Sequence, residues 1–226
     1  MLKHLFWQCF PLLILHGNQP FVCCVIISHI FLQITESPPL LSGALTASTQ
    51  NEKLWVYAKY LYDALGQRMR LFEFGNLDNQ TFTYDFLLLY KEHVMYEINH
   101  HNRTCKKIPL KVDFQPLGIS KDASLLGQVI VGSSSGPGQG LLVNTWIGDL
   151  PNKEGKYMST VTEFGCIPVS VAFQTKQYGW MVFSYFNNII GISDPGLLNP
   201  PSFCPGADAS TDEEPIGFFS LFHRKN

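Results

Sequence analysis

Charge is scarce in this sequence. Only 15% of its 226 residues are charged, and 16 Lys and Arg against 18 Asp and Glu leave a formal net charge of −2. A protein that grips phosphate backbones concentrates positive charge on one stripe, and none is visible, so nucleic acid is excluded as a partner. Helical periodicity is also missing: outside the N-terminal region no stretch of about 12 residues repeats its apolar side chains at helical spacing. No apolar run reaches the roughly 18 to 20 residues of a membrane-spanning helix. The 14 prolines and 18 glycines follow no period, which removes collagen-like and solenoid architectures. No paired carboxylates or His/Asp partners point to acid–base chemistry, so the chain reads as a non-enzyme.

With 46% hydrophobic residues, the chain is able to bury one sizeable core. The sequence divides into an apolar N-terminal segment (1–36), a domain (37–205) and an acidic, then aromatic tail (206–226). Within the first segment, Met1 and Lys3 precede "LFWQCFPLLIL", and a second run, "FVCCVIISHIFLQI", follows "HGNQP". The first run has the length of a signal-peptide core, so a cleaved secretory signal is expected, with a retained signal anchor or a core helix as alternatives.

Beyond Ser37 the sequence reads as strands. "LWVYAKYLY" alternates, "DALGQ" is a turn in which Gly66 is expected to take the left-handed position, and "RMRLFEF" returns as the second arm of a hairpin. Further strands are expected at "TFTYDFLLLY", "HVMYEI", "TCKKIPL", "QVIVG", "LLVNTWIG", "KYMSTVTEF", "IPVSVAFQ" and "WMVFSYFNNIIGI". Turn residues separate most of them at hairpin distances. The fold class is therefore all-β with minor α: an antiparallel sandwich or barrel.

The stretch "NHHNRTCKK" falls between two of these strands. His100, His101 and Cys105 fall short of the four ligands that zinc requires, and the histidines read as solvent-facing turn residues. Asn102-Arg103-Thr104 and Asn79-Gln80-Thr81 are both acceptor triplets for N-linked sugar in polar turns. Cys9, Cys23 and Cys24 lie in the apolar segment, leaving Cys105, Cys166 and Cys204 in the domain. Three is odd: one thiol is free, one pairs across a dimer, or Cys23 or Cys24 completes a second bridge.

"GSSSG" matches the hydrolase pattern G-x-S-x-G with Ser134 as nucleophile, but "PGQG" follows where a helix must begin, so a loop is expected. Trp146, Trp180, Phe183, Tyr185 and Phe186 are large side chains on expected strands, suited to a core or to the wall of an apolar pocket. Asp208, Asp212, Glu213 and Glu214 supply hard oxygen ligands for a weak calcium site without the EF-hand pattern; a solvated acidic tail is the other reading.

Taken in order, "DFLLLYKEHVMYEIN", "NRTCKK", "GLLVNTWIG", "EFGCIPVS", "DPGLLNPPSFC" and "FFSLFH" resemble the ependymin family, secreted brain glycoproteins of bony fishes and their relatives. The resemblance spans roughly Ser37 to His223. It implies a secreted, extracellular glycoprotein, often a homodimer, linked to calcium binding and cell-matrix adhesion. It also implies an antiparallel sheet curved into a half-barrel around an apolar pocket, similar to bacterial lipoprotein carriers, with Asn79 and Asn102 as sugar acceptors and Cys105 paired with Cys204. Family members carry a cysteine just before the Pro-Pro, whose expected partner matches Cys166; here Glu36 and Ser37 precede Pro38. Two functions follow. One is a carrier sheltering a fatty acid or lipid tail; the other is a structural component that meets extracellular matrix through its surface and glycans.

Overall fold

The computed structural model describes residues 22–23, 35–150, 155–175 and 179–204. β1 (Val22–Cys23) pairs with β2 (Thr35–Glu36) in a two-stranded ribbon. The other strands are β3 (Leu40–Thr49), β4 (Leu54–Asp63), β5 (Arg68–Leu77), β6 (Gln80–Leu89), β7 (Val94–Asn99), β8 (Thr104–Pro109), β9 (Ser124–Gly132), β10 (Gly140–Asp149), β11 (Lys156–Thr162), β12 (Pro168–Thr175) and β13 (Gly179–Ile190). They form one antiparallel, unclosed 11-stranded sheet in the order β8-β7-β6-β5-β4-β3-β13-β12-β11-β10-β9. Among the described residues the helical elements are two 3-10 turns, Tyr90–Glu92 and Pro195–Leu198. The all-β expectation holds.

Two meanders, β3 to β8 and β9 to β13, join where β3 pairs with β13. Residues 110–123 run from β8 on one edge to β9 on the other. Fully extended, such a segment reaches about 50 Å, while a flat sheet of this many strands is about 48 Å wide. The segment is not extended: Leu117 N–H donates to Tyr62 Oη at 3.0 Å, Phe114 stacks on Tyr62 at 5.8 Å, and a turn joins Ala123 N–H to Ser120 O at 3.1 Å. The edges must therefore approach each other, and the sheet curls into a half-barrel with residues 110–123 strapped across its mouth.

One strand, β3, was not expected from the sequence, and it is central. Its "LLSGALTAST" is poor in the branched and aromatic residues that announce a strand. The small side chains answer to their neighbours: a Cβ on Gly43 would stand 2.7 Å from Asn188 Oδ1 and 3.1 Å from the Tyr60 ring. The β4–β5 turn also differs from expectation. Gln67, with φ 52°, takes the left-handed position rather than Gly66. Gly66 is needed for closeness instead, since its N–H donates to Asp63 Oδ1 at 2.7 Å while Arg68 grips Oδ2 at 2.7 Å. Burial opposes ionisation of Asp63, yet these contacts hold its carboxyl below the usual range.

Candidate functional site

Strand alternation assigns each side chain to the concave or the outer face. On β4, the buried Val56, Ala58, Tyr60 and Tyr62 alternate with Trp55, Tyr57, Lys59 and Leu61. The register carries this phase across the sheet, so that Tyr84, Glu73, Ala58, Leu45 and Tyr185 stand in one row on β6, β5, β4, β3 and β13. The neighbouring row is Phe82, Gly75, Val56, Ala47 and Phe183. Aromatic rings end both rows, and apart from Glu73 small or aliphatic residues occupy their middle.

Into this apolar face points a carboxyl. Glu73 is 2% exposed, and its Oε2 has no hydrogen-bond partner. Burial pushes its pKa up to about 8, with no nearby charge helping or opposing. Tyr185 Oη and Trp146 Nε1 are likewise buried without a partner on the same face. Burial also raises the Tyr185 phenol well above its usual value.

Of the residues expected at a pocket, Phe183 and Tyr185 belong to the main core, with Phe173 stacked on Phe183 at 5.7 Å. Trp146 lies further along the concave face, beside Ile119, Val161 and Cys166. Trp180 and Phe186 do not join them. They occupy the other phase of β13 and face outward, where Phe186 meets Tyr57 at 6.0 Å. The period of two along "WMVFSYF" separates these aromatics, which a sequence count of large side chains had grouped.

The outer face carries a groove of about 770 Å³, bordered by Tyr57, Lys59, Phe72, Phe74, Asp85 and His100 among others. Beside it Arg70 holds Asp85 through Nε at 2.9 Å and Nη2 at 2.7 Å, and donates to Leu197 O at 2.6 Å; His100 Nε2 meets Asp85 Oδ2 at 2.7 Å. Arg103 lies over the Phe203 ring at 5.5 Å, and Cys105 is bonded to Cys204. The turn "NHHNR" thus fastens the segment after β13 onto the β7–β8 hairpin. Leu198, Phe203 and Cys204 cover Leu87, Val94, Tyr96 and Ile98 there. With Cys105 in a disulfide, no metal site forms around His100 and His101, and no metal-binding cluster occurs among the described residues.

Asn79 and Asn102 sit exposed at the tips of the β5–β6 and β7–β8 turns, at one end of the sheet. Both turns share one device: Asn76 Oδ1 accepts from Asn79 N–H, and Asn99 Oδ1 from Asn102 N–H, each at 3.0 Å. Ser134 is exposed in the β9–β10 hairpin loop, where Gly132 and Gly138 have positive φ and a strand, not a helix, follows. The context of a hydrolase nucleophile is absent there. Cys166 is disulfide-bonded. The cysteines that the sequence offers for a second bridge are Cys23 and Cys24, with Cys9 in the same apolar segment. Those side chains lie outside the described residues, as do Asp208, Asp212, Glu213, Glu214, the first N-terminal run, the second apart from the backbone of Val22–Cys23, and the tail.

A family model described as Ependymin matches residues 78–204. The chain belongs to the ependymin family. It is similar to the ependymin of Notemigonus crysoleucas, 31% identical over 202 residues that cover 89% of this chain and 94% of that one. Ependymin-2 of Carassius auratus is 30% identical over 202 residues, with the same coverage. Mammalian ependymin-related protein 1 of Mus musculus is 32% identical over 148 residues, 65% of either chain. Among solved structures, an uncharacterized conserved protein from Thermus thermophilus superposes with a TM-score of 0.47 at 8% identity, covering 73% of this chain and 87% of that one. In this ependymin-family chain, Glu73 is the polar residue that sequence reading passed over. The signal was present: in "RMRLFEF" it shares the phase of Met69 and Leu71, the inward side of the strand.

Proposed function

We propose that this chain is a secreted ependymin-type glycoprotein that shelters an apolar ligand, a fatty acid or lipid tail, against the concave face of its half-barrel. One observation carries the reading: Glu73 Oε2, Tyr185 Oη and Trp146 Nε1 are buried on that face with no partner. A core filled for stability alone pairs such atoms or does without them, whereas a face that receives a ligand presents polar atoms among apolar walls. The exposed acceptor triplets at Asn79 and Asn102 support passage through the secretory route.

A second reading, a matrix or adhesion component, draws on the outer face, where Trp55 and Phe74 are each 48% exposed and touch edge to face at 5.7 Å. Calcium would serve either role through Asp208, Asp212, Glu213 and Glu214. A homodimer is supported by the two sheet edges. β8 is guarded by Lys106, Lys107 and Pro109, as solitary edges are. β9 has no guard: no charge occurs from residue 123 to 148, and Leu126, Val129, Ile130 and Val131 are exposed. A second copy pairing there antiparallel about a two-fold axis meets no like charge in any register. Native mass spectrometry of the secreted protein tests both points, through lipid mass carried by the chain and through a doubled polypeptide mass. A monomer that carries no lipid would refute them.

A further inference from the structure

We propose that Glu73 is the head-group anchor of the concave face, and that the ligand it selects is a long-chain amphiphile ending in an amine. The inference rests on the carrier reading above and gives that ligand its chemistry. Glu73 stands in the row Tyr84–Glu73–Ala58–Leu45–Tyr185, with Met69 and Leu71 before it on its own strand and Gly75 after it. Ala58 and Gly75 are its small neighbours, and the Phe82 ring comes within 3.0 Å of where a Cβ on Gly75 would stand, so the carboxyl is walled by rings and small aliphatic groups that offer its Oε2 no polar partner. Among the described residues no cation pairs with it. On the same face Glu97 and Lys106 are register partners across β7 and β8, beyond Tyr84 and Phe86, and Glu163 accepts from Asn144 and Gln128 beside β10. The other titratable groups near it are the phenols of Tyr60, Tyr62, Tyr84 and Tyr185.

A buried carboxyl with one oxygen unpaired is uncomfortable in either protonation state, and ligand head groups differ in how they relieve it. An alkylammonium brings opposite charge and three N–H donors, converting the acid into a charge-assisted pair in a medium of low dielectric. A fatty acid brings a second carboxyl against the first, and the two must then share a proton. A fatty alcohol satisfies one hydrogen bond and no charge. Around the carboxyl the wall of this face consists of Leu45, Val56, Ala47 and Phe183, buried side chains that carry no polar atoms.

The test uses the secreted full chain, delipidated, with three probes of equal tail length: stearylamine, stearic acid and stearyl alcohol, each displacing an apolar fluorophore. The amine is expected to bind at least about tenfold more tightly than the acid. Glu73→Gln, which keeps size and neutralises the group, is expected to weaken the amine by about tenfold or more and to leave the alcohol within about twofold. An acid that binds wild type as well as the amine does, or an amine indifferent to Glu73→Gln, overturns the head-group assignment while leaving the carrier reading in place. Failure of all three probes to bind overturns both. The probe series on wild type decides the matter alone should the variant fail to fold.

Discussion

Cys105 and Cys204 lie 5.2 Å apart at Cα although 99 residues separate them in the chain. The bond ties the segment after β13 to the edge strand β8, next to the ring of Phe203 and the guanidinium of Arg103. In the chain-entropy account, closing a loop of this length stabilises the fold by about 4 to 5 kcal/mol, a large share of the roughly 5 to 15 kcal/mol of a typical domain. Cys204→Ser is therefore expected to lower the unfolding midpoint sharply and to reduce the amount of protein secreted. Calorimetry and the medium-to-lysate ratio measure the two effects. Non-reducing peptide mapping that finds both thiols free in folded protein would remove the bond itself.

Glu73 makes stability depend on pH in a definite direction. Its folded pKa of about 8 lies above the ordinary glutamate value of about 4.3. Between those values the native state holds more protons than the unfolded chain, so stability falls as pH rises through the window, by up to about 1.4 kcal/mol per pH unit. Asp63 acts oppositely, and its contribution is lost only as pH falls below the usual carboxylate range. Melting temperatures measured upward from about pH 5 should decline in the wild type and flatten in Glu73→Gln. Equal slopes would mean that Glu73 ionises normally.

The two glycan acceptors are exposed and stand in turns of the same construction, so both are expected to be modified. Deglycosylation of protein secreted from animal cells should produce two mass steps. Asn79→Gln and Asn102→Gln should each remove one, with little loss of stability, since neither side chain contributes to the core. A chain of unmodified mass in the medium would contradict this.

Val129→Lys places a charge in the middle of the unguarded edge. Light scattering should show self-association falling, while the melting temperature stays within a few degrees because the residue is exposed. An unchanged assembly with the lysine in place would put the interface elsewhere.

Most strands were legible because their aromatic and branched residues alternate plainly; "LWVYAKYLY" falls wholly within β4. β3 was not, because a strand squeezed between large neighbours is written in Gly43, Ala44 and Ala47, letters that announce turns and helices elsewhere. The site was half legible. Phe183 and Tyr185 could be named as interior side chains, but Trp180 and Phe186 are equally aromatic and stand on the other face, and only the phase of the strand tells them apart. Arg70 and Asp85 are 15 residues apart, and their pairing beside His100 becomes visible only once β5 and β6 are set in register.

The joining of the two meanders has a consequence for synthesis. β3 ends at Thr49, and its partner β13 begins at Gly179. A ribosome adding about 5 to 20 residues per second needs on the order of ten seconds to make what lies between. Throughout that interval the nascent β3–β8 meander displays a second open border, "LLSGALTAST", on which no charged side chain discourages a stray strand. What becomes the middle of the finished sheet is, while the chain is being born, its most vulnerable rim.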